Sequence, residues 1–192
     1  MKRLTGKRAA AALATALFVA SLAPASAVAA PGYRGYADVD SEDWYVKMGT
    51  FDYALDHKLM KGYEGSNDFG PNDVPTRAQV VMVLWRTAGE PAASSQDFAD
   101  VNYGDWYGSA VRWARQAGVV TGYENGSNNF GPNDPITREQ LVTMFYRYAR
   151  DVAKVDTSAS TDGVSKVAGW DQVSDWARDP FAGRTRTRLS AA

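Results

Sequence analysis

The sequence predicts a mainly α-helical protein made of tandem helix-loop-helix repeats packed side by side, with a third repeat left incomplete. Three observations carry that prediction. The phrase Asn-x-Phe-Gly-Pro-Asn-Asp occurs twice, at Asn67 to Asp73 and at Asn128 to Asp134, and a duplication of this size marks stacked units that share a core. Apolar residues beside it recur at spacings of three and four, the period of a helix with one buried face. Each copy then runs into x-x-Thr-Arg-x-Gln, and Thr followed three residues later by Gln is the mark of a helix N-terminus.

Residues 1–30 read as an export signal. Lys2, Arg3, Lys7 and Arg8 form a basic start, Ala9 to Leu22 is apolar, and Ala25-Ser26-Ala27 or Val28-Ala29-Ala30 offers small residues for cleavage. A retained signal anchor is the competing reading. No later segment reaches the ~20 apolar residues of a membrane span, so none is expected in the mature chain. In the first repeat, Trp44, Met48, Phe51, Leu55 and Leu59 make one apolar helical face, and Trp106, Ala110, Trp113, Ala114 and Ala117 answer in the second. Gly118 is placed to stop the latter helix. The loops are dense in Asn, Gly, Asp and Pro and read as consecutive turns, with a short extended piece at Val119 to Tyr123. Thr76 and Thr137 then cap the second helices, with Gln79 and Gln140 closing the capping boxes. The boundaries follow: residues 36–91 and 98–152 are full repeats, 153–168 a Ser/Thr/Asp linker, and 169–192 a third fragment with a basic tail. Pro180 stands where the fragment's helix should continue, so the packed unit is expected to end near Arg150.

Composition excludes several classes. Without its first thirty residues the chain keeps 17 basic against 22 acidic residues, a net charge of −5, which speaks against nucleic acid and anionic lipid as partners. The absence of cysteine removes disulfides and thiolate metal sites. His57 is the single histidine, too little for a histidine-dependent triad or a multi-histidine metal centre. The Asp38 to Asp43 cluster lacks the glycine and closing glutamate of a calcium loop. No catalytic residue, cofactor or metal is expected.

The order Phe/Tyr-x-Asp-Val (Tyr36 to Val39, Phe98 to Val101), Asp-Trp (Asp43-Trp44, Asp105-Trp106), a helix, Gly-Tyr (Gly62-Tyr63, Gly122-Tyr123), Phe-Gly-Pro-Asn-Asp and Thr-Arg-x-Gln closely resembles the S-layer homology (SLH) module of bacterial envelope proteins. The resemblance covers roughly Tyr36 to Ala88 and Phe98 to Arg150. It implies modules grouped about a pseudo-threefold axis with ligand grooves between neighbours. It further implies noncovalent anchoring to the cell wall through a pyruvylated secondary cell-wall polysaccharide on peptidoglycan, hence a secreted protein held at the cell surface. The chain departs from the family in its incomplete third module and in Gln79 and Gln140, where Glu is usual.

Arg77 and Arg138 sit at the first helical position, where the macrodipole disfavours a cation. A guanidinium beside free helix N–H groups is a receptor for carboxylate or phosphate, and the resemblance implicates this arginine in polymer recognition. The structural alternative pairs each with a loop carboxylate, Asp73 or Asp134. Tyr63 and Tyr123 follow a glycine in a loop and are candidates for stacking on a sugar ring, with Glu64 and Glu124 as hydroxyl acceptors or solvated charges. Trp44, Trp106, Trp85 and Trp113 are expected in the core, and Asp38 and Asp100 as caps or turn residues before the first helices. An exported protein-protein interaction module and a wall hydrolase with an unrecognised carboxylate pair are the other functional readings.

Overall fold

The computed structural model describes residues 32–157, 166 and 168–186. The expected signal, most of the linker's middle and the last six residues lie outside that set. The architecture is mainly helical, with α1 (Trp44–Lys47), α2 (Thr50–Asp56), α3 (Arg77–Thr87), α4 (Gly108–Gln116), α5 (Arg138–Arg147) and α6 (Asp175–Arg186). A π-helical turn, Tyr148–Val152, extends α5. Among the described residues there is no strand, only an isolated antiparallel bridge between Thr76 and Pro135. The extended piece expected at Val119 to Tyr123 is irregular loop, held instead by a Tyr123 N–H bond to the Asn129 carbonyl at 2.9 Å.

Both capping boxes form. Thr76 accepts from the Gln79 N–H while Gln79 accepts from the Thr76 N–H, and Thr137 with Gln140 repeats the exchange. The first helix of repeat one is not continuous as expected. Gly49, in the left-handed region at φ 72°, separates α1 from α2. Val111 stands at the corresponding position of the second repeat, and the helix there runs unbroken.

Two tryptophans depart from the core expectation as well. Trp44 is 69% exposed and Trp106 58%, because the next residue round each turn, Tyr45 or Tyr107, takes the inward position. Each indole stands edge-on to that tyrosine, at 5.6 and 5.1 Å. The tyrosine hydroxyls donate to Asp43 and Asp105. Phe51 and Trp113 carry the burial instead.

Packing crosses the repeat boundary. Ala78, Val81 and Leu84 of α3 share one core with Ala110, Val111 and Ala114 of α4, Phe130 of the second loop and Met144 of α5. Val39, Val46 and Phe51 form a smaller cluster in the first repeat. The second helix of one repeat thus packs on the first helix of the next, α3 on α4, and α5 on α6. Pro180 does not end α6 as expected. The helix runs through it, giving up one backbone bond, while Pro180, Ala177 and Ala182 are buried. Ser174 fixes the start of α6 by donating its N–H and hydroxyl to Glu139, at 2.8 and 3.0 Å. The packed unit therefore extends past Arg150.

Among the described residues, four carboxylates are held below their ordinary range. Burial would raise Asp38, but N–H groups of Phe69 and Gly70 outweigh it. Hydrogen bonds from Tyr45, Arg34 and Arg150 depress Asp43, Asp52 and Asp151. Their folded values lie below an unfolded value near ~3.9, so the native state binds fewer protons than the unfolded chain in acid. This contribution is complete above about pH 5 and is lost as pH falls through the folded values. Thermal midpoints should hold steady from pH 7 to 5 and drop between pH 4 and 2.5; a flat profile across the acid range contradicts the assignment.

Candidate functional site

The site is assembled from loop geometry repeated in both copies. Asp38 accepts from the Phe69 and Gly70 N–H groups at 2.7 and 2.8 Å, and Asp100 accepts from Phe130 and Gly131, both at 2.7 Å. These aspartates staple the Phe-Gly-Pro-Asn-Asp loop across about thirty residues, a role beyond the turn or cap expected of them. Gly70 and Gly131 are left-handed, at φ 73° and 69°. A Cβ at Gly131 would lie 2.7 Å from the Tyr123 hydroxyl, so glycine there permits both the turn and the tyrosine's approach. The Tyr63 hydroxyl donates to Asp73, and the Tyr123 hydroxyl to Asp134, each at 2.7 Å. The bond to Asp73 raises the Tyr63 pKa; burial, then the bond to Asp134, raises that of Tyr123.

The two arginines differ. Arg77 is 4% exposed and belongs to the joint between the repeats. Its Nε donates to the Phe130 carbonyl at 2.7 Å, and its guanidinium carbon lies 4.5 Å from the centre of the Tyr123 ring and 4.9 Å from that of Phe130. The α3 amides are not free for an anion. The Arg77 N–H bonds the Asp134 carbonyl and the Ala78 N–H the Pro132 carbonyl, at 3.0 and 3.1 Å, while Thr76 takes the amide of Gln79. Pairing with Asp73 or Asp134 does not occur either; among the described residues Arg77 has no carboxylate at ion-pair distance. Burial pushes its pKa down, against the favourable fields of Tyr123, Asp134 and Asp100. Arg138 is exposed. No third loop closes over it among the described residues.

Arg77, Tyr123, Gln140, Thr143, Arg147 and Trp176 line one pocket of about 160 Å³, at whose edge Glu124 also stands. Arg147 donates to the Thr121 hydroxyl at 3.1 Å; burial lowers its pKa, opposed chiefly by Glu124. Thr143 is 4% exposed, and its hydroxyl has no hydrogen-bond partner among the described residues. A buried unpaired hydroxyl costs on the order of 1–3 kcal/mol until a ligand or water meets it. The first repeat offers a shallower depression lined by Asp38, Tyr63, Gly70 and Asp73, with no arginine in its wall. Tyr63 is 44% exposed there, and Glu64 stands in solvent, 3.5 Å from Lys61.

Of the candidates read from sequence, Arg77, Tyr123 and Glu124 meet at one pocket, whereas Arg138, Tyr63 and Glu64 do not join them. Thr143, Arg147 and Trp176 join them without a ligand motif of their own in the sequence. Their only sequence signals are the echo of Arg86 at Arg147 and the third Asp-Trp pair, Asp175-Trp176.

Comparison with known proteins agrees with this repeat geometry. The S-layer homology domain profile matches residues 35–81 and 97–142. An endoglucanase of a Bacillus species is 35% identical over 114 residues, 58% of this chain and 11% of that protein. The surface-layer 125 kDa protein of Lysinibacillus sphaericus is 29% identical over 143 residues, 72% of this chain and 12% of that protein. A cellulosome-anchoring protein of Acetivibrio thermocellus is 28% identical over 120 residues, 60% of this chain and 26% of that protein. The chain thus spans about a quarter or less of these relatives, and relatives named as enzymes share only a small part of their length with it. With the duplicated loop, the paired capping boxes and the matched segments in agreement, this chain belongs to the S-layer homology family through two tandem modules, residues 35–81 and 97–142.

Proposed function

We propose that this protein binds the bacterial cell wall noncovalently, through a secondary cell-wall polymer attached to peptidoglycan, and so holds a secreted chain at the cell surface. The observation that carries the reading is the inter-module pocket, where Arg77 presents a desolvated cation that has no carboxylate partner among the described residues and lies near the buried Thr143 hydroxyl. An acidic sugar substituent, such as a pyruvyl ketal, pairs with that cation. Its carboxylate meets the guanidinium in a low-dielectric setting, where a charge-assisted bond is strongest. Tyr123 and Glu124 serve this same pocket. Arg138, Tyr63 and Glu64 belong to half-sites that a full third module would complete in the family arrangement. The surface-layer and cellulosome-anchoring names of the relatives support a surface role, and no enzymatic step is assigned.

Sedimentation of the mature chain with purified wall sacculi tests the proposal. Binding is expected to intact sacculi and to fall at least tenfold once the secondary polymer is extracted. Equal binding before and after extraction points to a protein or bare-glycan receptor instead. Release of soluble wall fragments establishes a hydrolase.

A further inference from the structure

The C-terminal fragment enters the pocket. Helix α6 lies against α5 as α4 lies against α3, so it occupies the place of a third module's first helix. Its third Asp-Trp pair puts Trp176 in the pocket wall beside Arg77, Thr143 and Arg147. The equivalent indoles differ in degree: Trp44 and Trp106 are 69% and 58% exposed, Trp176 43%. Two features hold α6 there, the double bond from Ser174 to Glu139 and the burial of Ala177 and Ala182. Glu139 belongs to α5, the helix that also carries Thr143 and Arg147, so the fragment's anchor and the pocket share one rigid element.

We propose that α6 is a working part of the binding site, and that Trp176 is a specificity-determining residue giving one sugar ring an aromatic wall while Arg77 takes that ring's acidic group. The proposal rests on the pocket being the wall-binding site. At about 160 Å³ the pocket is well below the ~300 Å³ at which sites for drug-sized ligands begin, a size that suits a terminal ring over an internal stretch of chain. An indole presents the largest π face of any side chain, electron-rich toward the polarised C–H groups of a pyranose. A half-exposed indole held by a packed helix offers that face with little ordering cost on binding. Without α6 the pocket would lose its Trp176 wall and stand open on this side.

The test is equilibrium sedimentation of the mature chain with wall sacculi. Trp176→Ala is expected to weaken binding about tenfold, Trp176→Phe to stay within about threefold of the parent, and Trp106→Ala, which lies outside this pocket, within about twofold. Should Trp176→Ala unfold α6, Trp176→Leu against Trp176→Phe decides, because leucine fills volume without a π face; Leu is expected to bind several-fold more weakly than Phe. Parent-like binding by Trp176→Ala, or equal binding by the Leu and Phe variants, overturns the role of Trp176 while leaving the wall-binding reading intact. A parent that does not sediment with sacculi overturns both.

Discussion

Replacing Arg77 with alanine is expected to weaken both the fold and wall binding, whereas Arg138→Ala should leave the fold unchanged. The two arginines hold the same place in the repeat, and sequence reasoning assigns them the same role, recognition of an acidic polymer. Their surroundings are opposite. Arg77 is buried, bonds the Phe130 carbonyl at 2.7 Å and lies over the Tyr123 and Phe130 rings. Its removal deletes a charge-assisted hydrogen bond worth roughly 1.5–3 kcal/mol and cation–π contacts of about 0.5–2 kcal/mol. Relief of a desolvated charge offsets part of this, leaving an expected loss of about 2 kcal/mol in urea unfolding. Wall affinity should fall by a further ~1.5–3 kcal/mol, and Lys should rescue only partly for want of the planar fork. Arg138 is exposed, so its alanine variant should unfold within about 0.5 kcal/mol of the parent. Parent-like stability and affinity in Arg77→Ala would remove Arg77 from both the joint and the site.

Phe130→Ala should be the most destabilising single substitution in the second module. Its ring is fully buried, tilts against Phe98 at 5.5 Å and underlies the Arg77 guanidinium. Truncating a buried phenylalanine costs about 3–5 kcal/mol, through lost transfer energy and the cavity left behind. The same loop carries the Asp100 staple and the carbonyls that hold the start of α3, so binding should fail together with stability. Phe69→Ala, at the matching half-buried position of module one, should cost less. The comparison is internal: chemical unfolding of the two variants side by side, with Phe69→Ala as destabilising as Phe130→Ala being the result that contradicts the ranking.

The repeats, the helix starts and the candidate loops were legible in the sequence because each rests on a local rule. A Thr-x-x-Gln box satisfies its own backbone groups, and a glycine such as Gly118 or Gly131 is written where φ is positive. The misreadings have a common origin in register and neighbours. Trp44 and Trp106 fit a helical apolar period, but the adjacent tyrosine faces inward, and no spacing rule separates two aromatics that stand side by side. Local sequence assigns Asp38 and Asp100 to the nearest helix, because their N–H partners lie about thirty residues on. Pro180 predicts a stop, since the sequence does not reveal that burial of Ala177, Pro180 and Ala182 in the α5–α6 packing outweighs one missing hydrogen bond.

The sequence by itself determined the family, the two modules and the residue types available for binding an acidic polymer. Tertiary structure alone decided which of those residues meet. Each module's second helix buries its apolar face on the next module's first helix, α3 on α4 and α5 on α6, because neither helix can cover that face within its own repeat. This offset carries Arg77 into the second module's loop, where Tyr123 and Phe130 enclose it, and brings Trp176 to the same pocket. Arg138, in the same Thr-Arg-x-Gln frame, has no third loop to receive it among the described residues and stays in water. A residue's role in such an array is fixed by the neighbouring unit's surface, which no local pattern encodes.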